Sequence, residues 1–193
     1  MTAAADIAPG ASVFDRVIAA AGRSDAPGLP PVHLWNPAHC GEIDIVIARD
    51  GSWRHEGRPI GRPALVRLFS TVLRKDPDGY HLVTPAEKLR ITVEDAPFLA
   101  VAVDRVGEAL RFTTNVGDQV EAGPRHSIRI AVDPKSGAPR PYVHIRAGLE
   151  ALIARPVFYE LAAMAASRET LAGPRLGVAS NGVWFELGED ASP

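Results

Sequence analysis

Two stretches of the chain, Ile43-x-Ile45-x-Ile47 and Ile128-x-Ile130-x-Val132, carry apolar residues at every second position. That spacing puts the apolar side chains on one face of a strand and leaves the other face free to be polar. A turn and a second strand-like run follow each. Asp50-Gly51 marks the first turn, because a two-residue hairpin loop needs positive φ at its centre. Asp133-Pro134-Lys135-Ser136-Gly137 marks the second, before a return over 142–145. An apolar stripe at helical spacing then follows each hairpin. The first is Leu65, Leu68, Phe69, Val72 and Leu73, with Pro63 in the first turn. The second is Leu149, Leu152 and Ile153, at matching spacing displaced by one residue. Ile60 and Ile145 stand at equal distances from their strand starts. The pattern predicts a strand–turn–strand–helix unit used twice.

The expected fold class is therefore α+β: a mostly antiparallel sheet with a repeated strand–turn–strand–helix motif, in two packed halves. Val13, Phe14, Val17 and Ile18 predict a short N-terminal helix ending near Gly22, and 25–31 reads as a Pro/Gly linker. A helix is expected over 62–74, ended by the turn Asp76-Pro77-Asp78-Gly79. Strands are expected over 80–84, 89–93, 99–103, 110–114 and 119–121. A second helical region should start at Gly148, break or restart at Pro156 and continue over 157–167. A closing hairpin, 176–179 with 183–187, should turn at Asn181-Gly182. These elements divide the chain into an N-terminal helix and linker (1–30), a first hairpin–helix unit (31–86) and a second β-rich unit containing the repeat (87–193).

Composition narrows the function classes. In 193 residues, 46% are hydrophobic and the formal net charge is −2, so a folded core is expected and no strong field draws nucleic acid or an anionic membrane. The single cysteine, Cys40, excludes an internal disulfide and a CxxC metal site. Asp6, Asp15 and Arg16 interrupt the early apolar residues, and no run approaches the length of a membrane-spanning helix. The cytoplasm is the expected location.

No GxxxxGK[ST], GxGxxG, HExxH or GxSxG motif occurs, so no nucleotide, zinc or other cofactor is expected, and the common serine hydrolase plan loses its support. Reactive residue types are densest over 35–55, with His39, Cys40, Asp44, Asp50 and His55. A small enzyme would use Cys40 as nucleophile with Asp44 and His55, or hold a metal there. The plainer reading makes Cys40 a small packing residue and Asp50 part of the turn, and the spacing follows no metal-ligand pattern. Arg125, His126, Arg129, Arg140, His144 and Arg146 make the second hairpin locally basic. With Tyr142 the lone aromatic among them, a solvated strand face is the better account than an RNA surface. Trp35, Trp53 and Trp184 read more readily as core anchors than as a pocket lining.

Three stretches also carry a family resemblance. They are Trp35-Asn36-Pro37-x-x-Cys40-Gly41-x-Ile43-Asp44-Ile45, Asp50-Gly51-x-Trp53-x-His55-x-Gly57-x-Pro59-Ile60, and Tyr80-x-Leu82-Val83-Thr84-Pro85-x-Glu87-Lys88. Asp95-Ala96-Pro97-Phe98 and Ser180-Asn181-Gly182-Val183 agree with them. Together they resemble the bacterial domain-of-unknown-function 1285 family. The resemblance implies an α+β fold with repeated motifs and supplies no catalytic role.

The function expected is non-catalytic: binding of a small polar ligand or a regulatory task, possible in signal transduction. The alternatives are the small enzyme above and a scaffold that binds a protein partner through an exposed sheet edge. A localised site is expected beside the first hairpin and the 84–88 segment, formed by Trp35, Asp44, His55, Arg62, Glu87 and Lys88, with both charge signs and an imidazole. A simple Asp44–Arg62 ion pair is the competing explanation of those two charges.

Overall fold

The computed structural model describes residues 13–21, 28–171 and 173–189. The expected helix end at Gly22 and residues 25–27 of the 25–31 linker lie outside them. The chain forms two compact units, one ending at Glu94 and the other made of the short turn 49–51 and everything from Asp95 onward.

The fold class differs from expectation. The protein is mostly β, with three sheets and three short α-helices, and is not built from strand–turn–strand–helix repeats. Two segments account for the difference. Residues 149–153 form a strand instead of starting a helix: Leu149, Ala151 and Ile153 are buried while Glu150 and Leu152 are half-buried. A five-residue apolar run cannot be assigned to strand or helix by periodicity alone, and here pairing on both sides decided it. The first helix is also shorter than expected. It ends at Thr71, and Leu73 opens a strand, so the turn at 76–79 joins two strands and does not cap a helix. An additional strand, Ala166–Thr170, begins on the last two residues of the expected helix over 157–167 and extends beyond it.

The N-terminal unit has one six-stranded sheet built from β1 (His39–Ile47), β2 (Trp53–His55), β3 (Arg58–Pro59), β4 (Leu73–Asp76), β5 (Gly79–Val83) and β6 (Glu87–Val93). Their order is β3-β2-β1-β6-β5-β4, with β1 and β6 parallel at the centre. Helices α1 (Val13–Ala21) and α2 (Pro63–Thr71) contact each other. Helix α2 covers one face of the sheet through Phe69, whose ring stacks on Trp53 at 6.2 Å between centroids. Ile45, Ile47, Leu82 and Leu89 complete that core.

The C-terminal unit has a second six-stranded sheet: β7 (Phe98–Val106), β8 (Ala109–Thr114), β9 (Gln119–Glu121), β10 (Ile128–Val132), β11 (Pro139–Arg146) and β12 (Leu149–Ile153). Its order, β9-β8-β7-β12-β11-β10, follows the same connectivity as the first sheet, again with the first and last strands parallel at the centre. The strands that correspond are thus β1 to β6 with β7 to β12. The hairpin at 43–56 does not correspond to the one at 128–145. Helix placement differs as well, since α2 lies between β3 and β4 whereas α3 (Arg155–Ala163) follows β12. Strands β13 (Ala166–Thr170), β14 (Gly173–Ser180) and β15 (Val183–Glu189) form a third sheet. Among the described residues no helix is long and apolar enough to cross a membrane.

Candidate functional site

Alternation along the strands sorts the N-terminal sheet into two faces. On β6, Leu89 and Ile91 are buried in the core, which puts Lys88, Arg90 and Thr92 on the opposite, outer face. Residues directly paired across strands share a face. The register then assembles one outer row from four strands: Arg74 of β4, His81 of β5, Arg90 of β6 and Glu42 of β1. The next row holds Val83, Lys88 and Cys40. The Asp76–Gly79 turn folds Asp76 and Asp78 over the same end.

These residues form the densest charge cluster of the unit. Arg74 grips Asp76 with Nε 2.9 Å from Oδ1 and Nη2 3.0 Å from Oδ2. Lys88 Nζ stands 2.8 Å from Asp76 Oδ2 and 3.7 Å from Asp78 Oδ1. His81 lies between the two carboxylates, with Nδ1 3.5 Å from Asp76 Oδ2 and Nε2 3.4 Å from Asp78 Oδ2. It is only 3% exposed, and Nδ1 is buried without a hydrogen-bond partner. Arg90 donates to the Asp78 carbonyl at 2.7 Å.

Protonation follows from this packing. Burial and the neighbouring Lys88 ammonium hold the His81 imidazole below its usual range, against the pull of Asp78 and Asp76. Burial pushes Asp76 up, but hydrogen bonds from Arg74 and Lys88 outweigh it and keep the carboxyl below its usual range. The bond to Asp76 raises Lys88. At neutral pH Asp76 is therefore an ionised carboxylate beside Arg74 and Lys88, and the His81 imidazole is neutral. Oxygen and nitrogen atoms of Asp76, Asp78 and His81 all lie within 4.8 Å of one another, a grouping able to ligate a metal. Arg74 and Lys88 already balance the carboxylates, so the charge of the cluster requires no added cation.

Beside the cluster is a cavity of about 270 Å³ lined by Cys40, Gly41, Glu42, Asp78, His81, Lys88 and Arg90. A neighbouring one of about 360 Å³ shares Glu42 and Arg90 and adds Asp44 and Thr92.

Family models match both parts of the chain: the DUF1285 N-terminal domain over 30–96 and the DUF1285 C-terminal domain over 97–187, each described as being of unknown function. The chain belongs to the DUF1285 family. A crystal structure of a DUF1285 protein from Silicibacter pomeroyi is 48% identical, with a TM-score of 0.81, covering 90% of this chain and 94% of that one. A second, from Shewanella baltica, is 26% identical, with a TM-score of 0.49, covering 60% and 87%. No curated protein matches the chain.

In this DUF1285 protein the six residues expected to form a site divide between faces. Lys88 lines the His81 cavity and Asp44 the neighbouring one. His55 pairs with buried Ile45 and shares the helix-covered face with Trp53. Glu87 is two residues from buried Leu89 and is bound by Arg16 of α1 at 2.7 Å. Trp35 contributes its backbone carbonyl, which accepts from Arg74 at 2.7 Å. Arg62 is the exposed residue before α2 and forms no ion pair with Asp44 among the described residues. The same alternation separates His55 from Cys40 and Asp44, so the nucleophile arrangement read from the sequence is not assembled. His81, Asp76 and Asp78 were missed because 76–79 was accounted for as a helix-ending turn. The spacing Asp76-x-Asp78-x-x-His81 across a hairpin turn is the signal that would have found them.

Three arginines of the basic hairpin are paired within the C-terminal unit. Arg129 makes a two-pronged contact with Glu150, both bonds 2.6 Å, while Arg140 binds Asp95 and Arg146 binds Asp118.

Proposed function

We propose that this DUF1285 protein is a binding protein without catalytic activity, whose N-terminal unit takes a small ligand bearing both an acidic and a basic group. The supporting observation is the cavity that joins Lys88 and Arg90 to Asp78 and Glu42 around buried His81. At about 270 Å³ it falls just below the size of drug-like sites, roughly 300–1,000 Å³, and suits a molecule of amino-acid size. An anionic group would meet Lys88 and Arg90, and a cationic one Asp78 and Glu42. Ligand occupancy would stabilise the unit by mass action, which suits a regulatory, signal-responsive role.

The test is calorimetric titration and thermal unfolding with a panel of zwitterions, including L-glutamate, L-lysine and taurine. At least one should bind saturably and raise the melting temperature. Lys88→Met and Asp78→Asn should each weaken that binding about tenfold. If no zwitterion binds, or if both variants bind as the parent does, the reading fails.

A further inference from the structure

The C-terminal unit has a cavity of its own, about 540 Å³ and well inside the range of small-molecule sites. Strands β11 and β12 form its floor and the start of α3 its wall. Two chemical characters meet there. One is cationic: Arg49, Arg140 and Arg155 line it against the single carboxylate of Asp133. That carboxylate is already engaged, since Oδ1 accepts from the amides of Lys135 and Ser136. Arg140 is paired with Asp95 through Nη2 and faces Asp133 Oδ2 at 3.7 Å through Nη1, while Arg155 has no ion pair among the described residues. Helix α3 also starts there without a side-chain cap, so its positive end adds to the same wall. The other character is apolar. Leu152, Phe158 and Tyr159 line the cavity, and Tyr159 is 64% exposed, so its ring is available to a ligand.

We infer that this cavity binds an organic anion, with a carboxylate or phosphate held by Arg155 beside the already paired Arg140 and an apolar body laid over Tyr159, Phe158 and Leu152. Guanidinium groups suit this task because their planar fork matches both kinds of anion. Bare inorganic anions would leave the tyrosine wall uncovered, and a neutral hydrophobe would strand the arginines, so the ligand must carry both parts. The proposal is independent of the N-terminal site.

The probe is 1-anilinonaphthalene-8-sulfonate, an aromatic ring system with one anionic group, titrated by fluorescence into the full chain. One saturable site is expected. Arg155→Glu should weaken it by more than about tenfold and Arg155→Gln by about tenfold, the scale of one lost charge-assisted hydrogen bond. Tyr159→Ala should weaken it several-fold. Arg105→Glu, the same charge change at an exposed position of β7 outside the cavity, should leave it unchanged. Circular dichroism checks that each variant is folded. Displacement of the dye by octanoate assigns an alkyl carboxylate, and displacement by adenosine monophosphate a phosphate ester bearing an aromatic base; either supports the inference. Absence of saturable binding, or equal loss in Arg105→Glu and Arg155→Glu, overturns it.

Discussion

The Nδ1 atom of His81 stands 3.5 Å from Oδ2 of Asp76, too far for a good hydrogen bond, because Lys88 Nζ already occupies that oxygen at 2.8 Å. Burial, and then the Lys88 ammonium, keep the imidazole neutral, and folding becomes pH-dependent. Unfolded, His81 takes a proton below about pH 6.5. Folded, burial and Lys88 delay protonation to lower pH. Between those two values the unfolded chain holds more protons, so stability falls as the pH falls. Asp76, whose carboxyl is held low, loses its contribution only as the pH falls below its unfolded value of about 3.9. Urea melts from pH 7 downward should show a stability slope that is shallower in His81→Gln. Equal slopes in the two proteins would sink the argument.

Lys88 can be tested by its effect on its neighbour. Its ammonium is the second-largest cause holding His81 down and also holds Asp76 down. Lys88→Met should raise the His81 pKa, read from the imidazole proton shifts by NMR. An unmoved His81 titration would show that burial alone sets it.

Strand boundaries were largely legible in the sequence; the faces and partners of the strands were not. The strands at 119–121 and 128–132 match the expectation at both ends. The parallel pairing of β1 with β6, by contrast, joins residues more than forty positions apart, and nothing local announces it. That pairing brings Cys40 beside Lys88, and the β5–β6 register adds His81. Lys88 was singled out in the sequence because it follows the Thr84-Pro85 break, and it lines the cavity beside His81. Glu87 was legible as a charge, but its neighbour Arg16 comes from α1, and no sequence spacing links them. The helix expected at Gly148 failed because Leu149 and Ile153 fit a helical stripe and a strand face equally well.

Tyr142 predicts an alkaline limit. Burial, and then the hydrogen bond its hydroxyl donates to Asp95 at 2.8 Å, push its pKa up to about 12. The unfolded chain ionises the same group near pH 10, so above that pH the unfolded state holds fewer protons and stability drops until the folded value is reached. Tyr142→Phe should remove this component and cost about 1.5–3 kcal/mol at pH 7, because Asp95 loses a donor. A phenolate signal from Tyr142 at pH 10 in the folded protein would contradict the assignment.

Phe69 is the centre of the N-terminal core, fully buried and stacked on Trp53. Phe69→Ala should cost about 3–5 kcal/mol in denaturant melts. The same change should shift the emission of Trp53, which loses its ring neighbour. A loss below about 0.5 kcal/mol would mean that α2 does not cover this face.

Gly177 supplies the sharpest steric test. It sits where the β14–β15 register shifts, paired with Glu186. A Cβ placed there would stand 2.5 Å from Trp184 Cε2 and 2.6 Å from the Phe185 carbonyl oxygen. Neither neighbour yields easily, since one is a rigid indole and the other is backbone in the ladder. Gly188, in the same sheet, has nothing within 4 Å of the corresponding point. Gly177→Ala should therefore destabilise the protein by about 1–3 kcal/mol, as overpacking does. Gly188→Ala should stay within about 0.5 kcal/mol of the parent. The comparison isolates the clash, because both substitutions add one methyl group to a strand and remove the same glycine freedom from the unfolded chain. Equal melts for the two variants would show that Trp184 does not pack across Gly177.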